Sequence, residues 1–195
     1  MSGLLRLSFV SSVSDHRDLP ELAVEVAVVG RSNVGKSSLV NALANHKNLA
    51  KVSKTPGRTQ LINLFLLSES TGVVDLPGYG YAAVPSRVKA GWGRMIESYL
   101  IERESLVEVL VLVDGEVGPT KLDVQMIEYL QANGVPMRIV ATKHDKVKSS
   151  KRETRKRDLA AGCGVAQKDV MWVSADSGLG IETLRNHILG VLKND

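Results

Sequence analysis

Apolar runs of strand length alternate with helix-periodic stretches along almost the whole chain. ELAVEVAVVG (21–30) is a nearly unbroken β-rich apolar run, and KSSLVNALANH (36–46) behind it predicts a helix. QLINLFLLSE (60–69) and TGVVDL (71–76) predict two strands joined by a short turn around Ser70. A long helix is predicted over 86–104, where Ile96, Tyr99 and Leu100 fall at helical spacing. LVEVLVLVD (106–114) reads as a strongly apolar strand, LDVQMIEYLQANG (122–134) as a helix stopped at Gly134, and VPMRIVATK (135–143) as the next strand. A basic helix over about 149–162, a strand DVMWVSA (169–175) and a last helix IETLRNHILGVL (181–192) complete the series.

This rhythm requires right-handed crossovers between parallel strands. The expected fold is therefore α/β, with a mainly parallel six- or seven-stranded sheet between helices on both faces. Ligands of such folds lie beyond the carboxyl ends of the strands. Residues 1–20 read as an N-terminal arm or a first strand, and 21–195 as one domain, since no repeat or linker divides them.

Composition narrows the class. The 195 residues are 44% apolar and 24% charged, as in ordinary soluble globular proteins. At 4% aromatic content the core must be built from Val, Leu, Ile and Ala. No apolar run approaches the roughly 18 residues that cross a bilayer. The lone Cys163, in AGCGV, excludes an internal disulfide, suits a reducing cytosol and reads as a small buried residue. A cytoplasmic monomer is expected. Charge is concentrated in one place: residues 146–158 hold seven Lys or Arg, namely Lys146, Lys148, Lys151, Arg152, Arg155, Lys156 and Arg157, against two acids. The whole chain carries +4, so the remainder is close to neutral. That locus is either a solvated helix face or a surface for a polyanion.

The chemistry begins in GRSNVGKSS, which matches GxxxxGKS directly after a strand and at the opening of a helix. The fold is thus expected to be a three-layer P-loop NTPase. Gly30, Arg31, Ser32, Asn33, Val34, Gly35, Lys36, Ser37 and Ser38 are its candidate nucleotide contacts. Main-chain N–H groups and the helix N-terminus would cradle phosphate, Lys36 would reach the β- and γ-phosphates, and Ser37 would bind Mg²⁺. Asp75, Leu76, Pro77 and Gly78 spell DxxG, which senses a γ-phosphate; Asp75 would hold Mg²⁺ through a water. Ras-like GTPases follow this glycine with a Gln that orients the attacking water. Here Tyr79 follows, and a phenol cannot present an amide. A main-chain group, a K⁺ beside Asn33, or a bound partner would have to replace it. Asn33 otherwise serves the loop turn alone.

Thr142, Lys143, His144 and Asp145 resemble the NKxD element, with Thr replacing Asn. A carboxylate at Asp145 can accept from guanine N1–H and the 2-amino group together, a donor pair that adenine lacks. Lys143 can lie over the base or brace the phosphate loop, and Thr142 keeps a hydroxyl for bracing neighbouring loops. His144 occupies the variable position and carries no chemistry. Ser174 and Ala175 resemble the loop whose backbone N–H contacts guanine O6. His16, His46 and His187 are scattered, with no Cys/His cluster for zinc. Between the phosphate loop and DLPG lies KTPGRTQLINLF, in which Thr59 is the candidate for closing over the γ-phosphate and binding Mg²⁺, with Thr55 as runner-up.

Together, GRSNVGKSS, TPGRTQLINLF, DLPGYGYA and TKHD resemble the EngB (YihA/YsxC) family of TrmE-Era-EngA-EngB-Septin-like P-loop GTPases, over about residues 20–192. The resemblance implies a Ras-like G domain with slow GTP hydrolysis. It also implies assembly of the large (50S) ribosomal subunit, with an effect on cell division and septation. It adds Gly57, Arg58, Gln60, Leu61 and Asp176 to the GTP contacts, makes Ser37 and Thr59 the Mg²⁺ ligands, and leaves Lys36, Thr59 and Asn33 as the catalytic candidates. Residues 146–158 would then face ribosomal RNA, extended by Arg87, Lys89 and Arg94. The alternative is a non-enzymatic, GTP-controlled switch for a division protein. A small P-loop kinase leaves TKHD and TPGRTQ unexplained.

Overall fold

The computed structural model describes residues 4–50, 61–80 and 86–193, with the backbone alone for 86–92. Seven strands, β1 (Ser8–Val13), β2 (Val24–Gly30), β3 (Ile62–Leu66), β4 (Thr71–Asp75), β5 (Leu106–Asp114), β6 (Met137–Thr142) and β7 (Val170–Trp172), form one sheet in the order β1-β3-β4-β2-β5-β6-β7. The pairs β1–β3 and β3–β4 are antiparallel; β4–β2–β5–β6–β7 run parallel. The mainly parallel, helix-covered α/β sheet expected from the sequence is therefore what forms, with seven strands.

The helices are α1 (Lys36–Ala44), α2 (Ser86–Glu102), α3 (Lys121–Ala132), α4 (Arg152–Gly162) and α5 (Ile181–Val191). Side-chain alternation along the central strands explains the three layers. In β2, Val24, Val26 and Val28 join Leu39, Val40 and Leu43 of α1 and Leu184 and Ile188 of α5. Ala27 and Val29 instead face Ile96, Tyr99 and Leu100 of α2, Ile127 and Leu130 of α3 and Leu159 of α4. Every residue of β2 is buried, as a strand covered on both faces must be. Each buried aliphatic side chain stabilises by about 1.5–3 kcal/mol, so these two layers hold the sheet.

Several boundaries moved inward from the apolar runs. The basic stretch opens as a 3-10 turn, Ser149–Lys151, before α4 begins. The strand expected over 169–175 ends at Trp172, because Ser174 and its neighbours turn into a loop. The long helix ends at Glu102, and there a charge hides in an apolar run. Glu25 of β2 is fully buried, accepting from the Tyr99 hydroxyl (2.7 Å) and from Arg103 Nε and Nη2 (3.0 and 3.1 Å). Breaking such a buried pair costs about 3–5 kcal/mol, so the far end of α2 is firmly tied to β2. The carbonyl end of α1 is closed by Arg185, whose Nε donates to Leu43 O at 2.8 Å.

Candidate functional site

The phosphate loop joins the end of β2 to the first turn of α1. Gly35 adopts φ +107°, a left-handed conformation that a side chain would strain. A Cβ on Gly30 would lie 2.8 Å from Val34 Cγ1, so that close approach also needs glycine. Asn33 sits at φ +68°, in the left-handed region that Asn tolerates, which accounts for its presence as a turn residue. No side-chain hydrogen bond caps α1, which leaves its first N–H groups available to an anion.

Lys36, at the first position of α1, is buried and ion-paired to Asp75 (Nζ to Oδ1, 3.0 Å) at the end of β4. Beyond that ammonium, no donor among the described residues reaches Asp75 Oδ1. A buried carboxylate oxygen left in that condition, together with the Ser37 hydroxyl at a helix start, fits a hydrated Mg²⁺. Among the described residues there is no cluster of three or more His, Cys, Asp or Glu that could hold a metal by itself. The ion's remaining ligands would then be nucleotide oxygens, water and the proposed Thr59. Gly57, Arg58, Thr59 and Gln60 lie outside the described residues, as does Thr55. Leu61 is exposed at the entry to β3.

The DLPG segment continues along the phosphate loop as an extra rung. Leu76 N–H donates to Val28 O (3.0 Å), Tyr79 N–H to Gly30 O (3.3 Å) and Ser32 N–H to Tyr79 O (3.0 Å). Leu76 and Pro77 are buried, and a Cβ on Gly78 would meet Ser32 Oγ at 3.1 Å. Arg31 is half-buried and pairs with Tyr79 through the main chain. The GxxxxGKS loop and the DLPG segment are thus zipped together.

TKHD sits at the end of β6, beside the phosphate loop. The buried Thr142 hydroxyl donates to Val34 O at 2.7 Å and approaches Val113 O at 3.3 Å. This is the bracing expected of it. Lys143 takes a left-handed φ of +54°, and its ammonium donates to Asp114 Oδ2 at 2.7 Å. Asp145 accepts from the Ser174 hydroxyl at 2.6 Å and pairs with Lys146 at 3.1 Å. The Ser174 bond, outweighing partial burial and aided by Lys146, holds the Asp145 carboxyl below its usual range. It stays ionised at neutral pH, as a double acceptor for guanine must. His144 is buried, its ring tilted against Trp172 at 5.0 Å. Burial, followed by Arg152 and Lys156, pushes its pKa down, so it is neutral and structural.

Beside these groups lies a cleft of about 440 Å³. Ser38 and Asn41 of α1, with Asn45 and Lys47 behind it, form one wall; Ala175 and Asp176 of the loop after β7 form another. Asn41 builds the first wall: its Nδ2 donates to Ala50 O (3.0 Å) and its Oδ1 accepts from Ala50 N–H (2.7 Å). The cleft thus runs between α1, from Ser38 to the turn behind it, and the loop after β7.

Two residues of this frame escape a motif reading. Asp114 ends β5, where the sequence between the motifs suggested no role. Its Oδ1 accepts from the N–H groups of Glu116 (3.0 Å) and Val117 (3.1 Å), and its Oδ2 fixes Lys143. Burial raises its pKa, but Lys143 and those N–H groups outweigh burial and hold it low. Asn41 is the other. An acid closing a strand next to the TKHD strand was the available signal for Asp114. None existed for Asn41.

Replacing Thr142 with Ala is expected to cost about 1–3 kcal/mol of unfolding free energy, the loss typical of a buried hydroxyl bond. GDP affinity should fall several-fold with it, read by urea unfolding beside a nucleotide titration. Lost stability with unchanged affinity would show that the Thr142–Val34 bond does not join the two halves of the site.

The chain matches the family model described as "50S ribosome-binding GTPase" over residues 25–143. It is 47% identical over 178 residues to "Probable GTP-binding protein EngB" of Pelotomaculum thermopropionicum, covering 90% of each chain. With the protein of the same name from Desulfitobacterium hafniense it shares 38% over 197 residues, 100% of this chain and 98% of the relative. Among solved structures, "Crystal structure of a probable GTP-binding protein engB" superposes with a TM-score of 0.72 at 25% identity, over 88% of this chain and 100% of that one. A structure of Era with MgGDPNP and a 16S ribosomal RNA segment shares the fold at a TM-score of 0.68 and 20% identity, over 89% and 58%. With the phosphate loop, DLPG and TKHD held in one frame and relatives matched over nine-tenths of its length, this chain belongs to the EngB family of GTP-binding proteins.

Proposed function

We propose that the protein binds GTP with Mg²⁺ and hydrolyses it slowly, as an assembly factor for the large ribosomal subunit. The observation that carries the nucleotide half is the Thr142–Val34 bond, which makes the phosphate loop and the base-reading loop one rigid unit. Ser37, Thr59 and Asp75 would hold Mg²⁺, which when bound neutralises phosphate charge. Lys36 would bind the β- and γ-phosphates and stabilise charge developing during attack by water. Asp145 would select guanine, helped by Ser174, and Lys143 would hold the wall beneath it.

The ribosomal half rests on the family and on the basic segment. Its cations are unequally engaged: Lys146 pairs with Asp145, Lys156 with Glu153 (2.9 Å), and Arg155 donates to Val117 O (3.4 Å). Lys148 and Lys151 are exposed and form no ion pair among the described residues. They would contact RNA phosphates in a largely sequence-independent way. We expect association with isolated 50S particles in preference to 30S, weakening by about tenfold or more between 50 and 200 mM salt. Cosedimentation with GTP and with GDP reads this out; binding indifferent to salt and nucleotide would sink it. An effect on division and septation would follow from impaired subunit assembly.

A second reading has its own observation. The Tyr79 side chain is engaged by Asp123 (2.8 Å), so the position occupied by Gln in Ras-like enzymes offers no group to water. The protein would then be a GTP-controlled switch without turnover. Multiple-turnover phosphate release, with and without 50S particles and in K⁺ against Na⁺, separates the two readings. Faster release in K⁺ assigns the missing charge to an ion near Asn33; equal rates leave Asn33 as a turn residue.

A further inference from the structure

Tyr79 joins two parts of the molecule that no motif connects. Its main chain is zipped to the phosphate loop through Gly30 O and Ser32 N–H, one residue after Gly78. Its hydroxyl, at 2.8 Å, donates to Oδ1 of Asp123 in the first turn of α3. Asp123 is 1% exposed and is itself fixed: its Oδ2 accepts from Thr120 N–H (2.8 Å) and from the Thr120 hydroxyl (2.7 Å), closing the capping box of α3. Burial first, then the Asp123 carboxylate, holds the phenol far above its ordinary pKa, so it remains a donor.

We propose that Tyr79 and Asp123 are a positioning pair for the γ-phosphate. The pair anchors the residue behind Gly78 to a rigid helix start, so that the Gly78 N–H is held at one place against the phosphate loop. Tyr79 does not substitute for Gln: it faces α3 and fixes the main chain, leaving water to be oriented by other groups. Placement of this kind acts on the γ-phosphate and not on the base or the α- and β-phosphates. The pair therefore tunes GTP against GDP and the rate of hydrolysis, while GDP binding alone is spared. The inference rests on the nucleotide reading proposed above, and its test is built to fail separately.

Tyr79→Phe keeps the ring and its packing and deletes the hydroxyl. Ile127→Val removes one buried methyl group from α3 and leaves the Tyr79–Asp123 and Thr120–Asp123 bonds in place. For Tyr79→Phe we expect GDP affinity within about twofold of the parent. The ratio of affinities for a non-hydrolysable GTP analogue over GDP should fall about tenfold, and kcat by a similar factor, as expected of a small misplacement at a reacting group. Ile127→Val should lower Tm with the affinity ratio and kcat unchanged. If Tyr79→Phe leaves both the ratio and kcat at parental values, or if Ile127→Val reproduces its losses, the proposal is overturned. Should the parent show no turnover, the hydrolytic reading fails, and the affinity ratio still decides the role of the pair.

Discussion

Lys36→Ala is expected to abolish GTP turnover and to weaken GTP binding by at least about hundredfold, the scale on which removal of one preorganised charge donor acts. The geometry gives it two separate effects. The ammonium stands at the start of α1, where it is buried against Asp75 of DLPG. It also neutralises Asp75, which is 2% exposed. Removing it strands that carboxylate in a buried place, a change that typically costs about 3–5 kcal/mol. The variant should therefore melt lower even before nucleotide is added. Thermal unfolding with and without GDP separates these effects: the parent gains stability with ligand, whereas the variant starts lower and gains little. A variant of parental stability that still binds GTP tightly would remove Lys36 from the site.

Asp145→Asn should change which base is bound. In the proposed complex the carboxylate accepts two hydrogen bonds from guanine, and the Ser174 hydroxyl bond at 2.6 Å fixes its orientation. An amide presents one acceptor and one donor, so guanine's donor pair meets an N–H and one bond becomes a repulsion. GTP affinity is expected to fall about hundredfold or more, as for sites whose buried polar groups are left unmatched. Xanthine carries a carbonyl where guanine has its 2-amino group, which suits the new donor, so XTP should gain affinity as GTP loses it. Competition against a fluorescent GDP analogue measures both. Equal loss for GTP and XTP would mean that Asp145 supports the loop and does not read the base.

The phosphate loop was legible because its chemistry is local: consecutive main-chain donors must curl around one anion, and Gly30, Gly35 and Lys36 are what that curl requires. The three layers were legible for a similar reason, since strands buried on both faces read as unbroken apolar runs such as LVEVLVLVD. What stayed hidden depends on partners far apart in the chain. Asp114 meets Lys143 across 29 residues, because β5 and β6 lie in parallel register and end level at Asp114 and Thr142. Tyr79 meets Asp123 across 44 residues, so that a residue which reads as a missing Gln is, in the fold, a strut to α3. Glu25 was invisible in a different way. A charge in an apolar strand finds Arg103 and Tyr99 only once α2 has packed.

If one frame holds a guanine nucleotide for hydrolysis, the protein turns GTP over, and multiple-turnover phosphate release measures it. The purified protein with Mg²⁺ should release phosphate slowly from GTP, and release none from ATP under the same conditions. No release from GTP, with or without 50S particles, or equal release from ATP, would contradict it.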